Sequence, residues 1–145
     1  MTKSSYEVTR VGDEVTLKDI ETGLIMRWAE SAVDFAIIDK GTLKGQDYIR
    51  RAQEMTDWAY SESLLQPATM ETIERYHLRH SIGNKLYNAR VEKKLTQQQL
   101  SELTGIGQGY IARIEGGRIN ATLDVINKIA SALNVRIDLQ ITDRQ

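Results

Sequence analysis

The sequence predicts an α+β protein: a small N-terminal β-meander with helices, then a C-terminal four-helix domain that ends in a β-strand. Three observations carry this. Apolar and polar residues alternate across residues 6–28, as on a half-buried sheet. From residue 46 onward apolar residues recur at helical spacing. Residues 96–117 hold the punctuation of two short helices joined by a tight turn.

In the N-terminal half, Tyr6 and Val8 alternate with polar neighbours, Val11-Gly12-Asp13-Glu14 makes a turn, and Val15 and Leu17 resume the alternation. Glu21-Thr22-Gly23 is a second turn signal, followed by Leu24 to Trp28, so a three-stranded antiparallel meander is expected. Ser31 to Lys40 places Val33, Ala36 and Ile37 at helical spacing and ends at Gly41, which predicts a helix. A stronger helix runs from Gln46 to Leu65: Tyr48, Ala52, Met55 and Ala59 share a face that Ile49 and Trp58 widen. Pro67 interrupts before another helix from about Thr69 to His80. Residues 1–79 hold seven of the nine aromatic residues, which argues for a folded region and against a flexible arm.

In the C-terminal half, Ser81 is placed to cap a helix with Ile82, Leu86 and Ala89 inward. Thr96 with Gln99 is a capping-box pattern, after which Leu100 and Leu103 lie on one face. Gly105 suits a left-handed stop, Ile106 can plug the core, and Ile111 and Ile114 restart the helical spacing before Glu115-Gly116-Gly117 closes it. This is the layout of a helix-turn-helix, whose second helix enters the DNA major groove. Thr122 caps a fourth helix with Leu123, Ile126, Ile129, Ala130 and Leu133 inward. Val135, Ile137, Leu139 and Ile141 then alternate with Arg136, Asp138, Gln140 and Thr142, predicting a half-buried strand.

The chain has 145 residues, 41% hydrophobic, enough for one ordinary core or two small ones. It has no cysteine, which excludes disulfides and thiolate metal sites. The segment MTKSSYEVTR lacks the apolar run of a signal peptide and no stretch reaches membrane-span length, so a cytoplasmic location is expected. The net charge of −1 divides unevenly: residues 1–79 carry −4 and residues 80–145 carry +3, the sign that phosphate attraction favours. His77 and His80 are spaced i, i+3 but have no third ligand in view, so no metal is expected. Asn120-Ala121-Thr122 reads as a turn and cap rather than a glycosylation site. With no glycine-rich phosphate loop and no nucleophile–base pair, neither a cofactor nor an enzymatic activity is expected.

Residues 82–142, through IGNKLYNAR, TQQQLSELTGI, YIARIEGG and LDVINKIASALNV, resemble the Xre/Cro family of lambda-repressor-like helix-turn-helix domains. The resemblance implies an ion pair between Arg90 and Glu115. It implies a phosphate contact from Gln97, base reading by Gln108, and further DNA contacts from Tyr110, Arg113, Lys93, Lys94 and Arg118. Three positions depart from the family pattern: Gly107 replaces the usual Ser or Thr cap, Gly109 has no side chain to read a base, and Ser101 stands where alanine is usual. The ending NATLDVINKIASALNVRIDLQI is similar to that of HipB-type antitoxins, which implies that Val135, Ile137, Leu139 and Ile141 pair with a second copy and close a homodimer. Pairing of this strand with the N-terminal meander is the alternative.

The resemblance divides the chain into residues 1–79, of unknown role, and residues 80–145, which bind DNA. It implies a sequence-specific repressor of double-stranded DNA at a pseudo-palindromic operator. In the fuller form it is an autoregulating antitoxin whose residues 1–79 hold a cognate toxin. Two other readings stay open: a ligand-responsive or assembly-regulated transcription factor, and a protein-interaction adaptor whose helix-turn-helix does not bind DNA.

Overall fold

The computed structural model describes residues 5–31 and 34–143. The chain separates into two compact units, Met1–Ser81 and Ile82–Gln145. The first unit opens with an antiparallel sheet in sequence order: β1 (Tyr6–Val11), β2 (Glu14–Asp19), β3 (Ile25–Ala29) and β4 (Asp34–Asp39). Val11 faces Glu14 across the first hairpin, and Gly12 between them has φ +60°, as a primed two-residue turn requires. Alternation brings Val15 opposite Trp28 and Leu17 opposite Met26, all four buried on one face. Helix α1 (Gly45–Ser61) adds Tyr48, Ile49, Ala52, Met55 and Ala59 to the same core. Each large aliphatic side chain removed from water here stabilises the unit by roughly 1.5–3 kcal/mol.

The helix expected over Ser31 to Lys40 is instead strand β4; Val33 lies outside the described residues, as do residues 1–4 of the N-terminal segment. Phe35 and Ile37 face Trp28 and Met26 of β3 and pack against the core. The same apolar residues fit either period over so short a run. The open edge of β3 decides for the strand, because a ladder satisfies its backbone groups.

The helices expected over Thr69 to His80 and after Ser81 form one helix, α2 (Pro67–Glu92). Pro67 begins it, where its missing N–H costs nothing. Ser81 caps nothing; its carbonyl accepts from Gln46 Nε2 at 3.3 Å. Met70, Ile73 and His77 are buried in the first unit, and Leu86 joins the core of the second. The jump in phase between these two apolar stripes is what resembles a break in the sequence. Gly83 is not a break either: a Cβ there would lie 2.3 Å from the Ile114 carbonyl oxygen, so it permits a close helix approach.

The second unit comprises the end of α2, α3 (Gln97–Thr104), α4 (Gln108–Glu115) and α5 (Leu123–Ala132) around Leu86, Leu100, Ile111, Ile114, Ile126, Ile129 and Leu133. Two expected core positions are exposed. Leu103 and Leu123 are 62% and 68% accessible, and Thr104 takes the inward place beside Leu100. Leu123 opens the first turn of α5, where only part of the apolar stripe reaches the core. After α5, Asn134 turns left-handed at φ 56°, and the N–H of Val135 donates to the Ala130 carbonyl, closing the helix. Residues 135–140 are not a strand and join no sheet among the described residues, because a strand exists only against a ladder partner. Val135 packs on the core, whereas Ile137, Leu139 and Ile141 are 37%, 75% and 97% accessible. Among the described residues no helix is long and apolar enough to cross a membrane.

Candidate nucleic-acid interface

Local chemistry sets the turn between α3 and α4. The Thr96 hydroxyl accepts from the Gln99 backbone N–H at 3.0 Å, and the Gln99 side-chain Oε1 accepts from the Thr96 N–H at 2.9 Å, closing a capping box. Gly105 ends α3 in the left-handed region at φ 75°. The Thr104 hydroxyl donates to the Leu100 carbonyl and accepts from the Ile106 N–H, while the Ser101 hydroxyl donates to the Ile106 carbonyl at 2.5 Å. Ser101 therefore adds a hydrogen bond that an alanine could not make. Gly107 precedes α4 in extended conformation and offers no side-chain cap.

Beneath this turn lies a chain of polar contacts. The Arg90 guanidinium meets Glu115 as a fork, Nε to Oε2 at 2.7 Å and Nη2 to Oε1 at 2.9 Å, and its Nη1 donates to the Leu95 carbonyl at 2.8 Å. The side chains are 10% and 5% accessible, so the pair stands nearly free of water. These hydrogen bonds, donated to the Glu115 carboxylate, hold Arg90 above its already high range. Gln97 Nε2 donates to Glu115 Oε1 at 3.0 Å, and Gln108 Nε2 donates to Gln97 Oε1 at 2.7 Å. The contacts thus run from a buried arginine to an exposed amide at the head of α4.

That amide keeps one N–H and its carbonyl oxygen free of these contacts. One donor and one acceptor on one planar group match the N7 and N6 edge of adenine in the major groove. Gln97 has both its oxygen and one N–H engaged, so a single side-chain N–H remains for another acceptor. Arg113 is exposed, with its guanidinium carbon 5.9 Å from the centre of the Tyr110 ring, and Tyr110 is half-buried against the core. Lys93, Lys94 and Arg118 are exposed. Lys94 sits in the left-handed turn that closes α2, at φ 59°.

The link from Gln97 to Gln108 is absent from the sequence reading, which treats the two amides as separate contacts. Its only signal is that both residues head consecutive helices of one turn motif. Gly109 has open space where a Cβ would stand, so nothing inside the molecule calls for glycine there. Among the described residues no set of three metal-ligating side chains comes together. His77 lies buried with Nε2 3.1 Å from the Thr56 hydroxyl.

A family model described as helix-turn-helix matches residues 86–140. An immunity repressor protein of Bacillus phage phi105 is 35% identical over 57 residues, 39% of this chain and 40% of the relative. An uncharacterised HTH-type transcriptional regulator of Sinorhizobium fredii is 34% identical over 58 residues, 40% of this chain and 75% of the relative. One from Haemophilus influenzae is 32% identical over 69 residues, 48% of this chain and 70% of the relative. The match thus spans less than half the length of the phage repressor.

Proposed function

The chain belongs to the helix-turn-helix family of the Xre/Cro type, and we propose that it is a sequence-specific transcription repressor acting on duplex DNA. The observation that carries this is the exposed Gln108 amide, backed by Gln97, Glu115 and Arg90 and presenting one donor and one acceptor outward. Gln108 reads a base. Gln97, Lys93, Lys94 and Arg118 position the backbone, and Arg113 and Tyr110 lie along the groove wall. The similarity to a phage immunity repressor supports the same reading.

An operator selected from random duplexes tests it. Gln108→Ala should lose about 1–3 kcal/mol of discrimination at one base pair per half-site. Equal binding of all sequences by parent and variant at fixed salt would overturn the assignment.

The repressor works as a homodimer. Ile137, Leu139 and Ile141 are an alternating apolar row without a ladder partner among the described residues, and pairing with the same segment of a second copy covers the row and completes a ladder. Two recognition helices then sit ~34 Å apart and demand a pseudo-palindromic site. Light scattering should show a dimer for the parent and a monomer for Ile137→Lys with Leu139→Lys. A monomeric parent at micromolar concentration would exclude this seam.

The same ending supports the fuller reading of an autoregulating antitoxin, with residues 1–79 engaging the toxin. Co-expression with the protein encoded next to it should give a stable complex that truncation at residue 80 abolishes. A ligand-responsive regulator is the second reading, favoured by a cleft in the first unit.

A further inference from the structure

A cleft of about 220 Å³ opens in the first unit, lined by Phe35 of β4 and by Thr72, Arg75, Tyr76 and Arg79 of α2. Two guanidinium groups stand on it one helical turn apart. Among the described residues neither has a carboxylate within 4 Å, and Arg75 makes only a 3.5 Å contact to the Thr72 hydroxyl. Like charges at i, i+4 repel on a helix surface, and an anion bound between them relieves that repulsion. The apolar wall is Phe35 against Tyr76, edge to face with ring centres 4.8 Å apart, and both rings are half-buried.

We propose that this cleft binds a small planar aromatic carboxylate. A guanidinium fork matches a carboxylate with two parallel hydrogen bonds, which a single ammonium cannot do. The His80 ring already lies against Tyr76, with ring centres 4.3 Å apart, so a ligand ring packs on the part of Phe35 and Tyr76 that still lines the cleft. The volume falls below the roughly 300–1,000 Å³ of pockets for drug-sized ligands, which selects a single-ring compound over a nucleotide or peptide. The site lies wholly in the first unit and does not depend on DNA binding by the second, so failure of one reading leaves the other standing.

Benzoate, acetate and benzyl alcohol, titrated into the full chain and followed by NMR, separate the two halves of the ligand. Benzoate should bind saturably, with shifts centred on Phe35, Tyr76 and the side-chain N–H groups of Arg75 and Arg79. Acetate, which lacks the ring, and benzyl alcohol, which lacks the charge, should each bind at least about tenfold more weakly. Arg75→Gln and Arg79→Gln should each weaken benzoate by about tenfold or more. The proposal is overturned if benzoate shows no saturation by about 10 mM. It also fails if acetate binds as tightly. So too if either variant, with the parent's circular dichroism and melting temperature, binds benzoate like the parent.

Discussion

Helix α2 carries one buried ionisable group in each unit, and the two are handled in opposite ways. In the first unit His77 is kept without charge: it is fully buried, and burial, aided by the neighbouring His80, pushes its imidazole down to about 4. The Thr56 hydroxyl, which donates to the Ala52 carbonyl at 2.8 Å, is left to accept from His77 Nε2. In the second unit Arg90 keeps its charge, because Glu115 supplies a two-point partner and the Leu95 carbonyl takes a third N–H. A buried titratable group is stable either discharged or fully paired. Only the paired one connects, through Gln97 and Gln108, to a surface amide.

The sharpest way to break this contrast is Glu115→Ala. It strands a guanidinium that cannot discharge, and removal of one partner of a buried pair costs about 3–5 kcal/mol. A large fall in melting temperature by far-UV circular dichroism is expected, and an unchanged melt would show that water reaches Arg90.

Acidification should act on the first unit. The folded imidazole of His77 titrates at about 4 and the unfolded one at about 6.5, so between these values only the unfolded chain binds the proton. Stability is complete above about pH 6.5, falls as pH drops toward 4, and loses ~3 kcal/mol in all. His80, also lowered by burial, adds in the same direction. Both tryptophans, Trp28 and Trp58, lie in the first unit, so their fluorescence in urea titrations reports it alone. His77→Gln should flatten the pH dependence. A parent slope retained in that variant would assign it to His80 and to carboxylates instead. The second unit has no histidine and lacks this response.

The smallest effect is a gain. Gly109→Ala adds a Cβ into open space within α4 and should stabilise the second unit by roughly 1 kcal/mol. A lower melting temperature would mean that the head of α4 does not hold helical geometry in solution.

The elements legible from the residues alone are those built from neighbours in the chain. Thr96 with Gln99, Gly105, Ile111 with Ile114, and Thr122 define α3, α4 and α5, because caps and turns act over three or four residues. The spacing also separates the buried Leu100, Ile126 and Ile129 from their polar neighbours.

Tertiary structure decided the rest. Residues 34–39 are a strand because β3 offers an edge, a contact that no local period encodes. Helix α2 runs through Ser81 because its two apolar stripes serve two cores, and a shift of phase looks like a break when only one core is assumed. Leu103 and Leu123 hold helical spacing yet face water, since periodicity defines a stripe and only the packed neighbours decide how much of it is covered. Residues 135–140 have a strand's alternation without a strand, because that element requires a ladder partner and none of the described residues pairs with them.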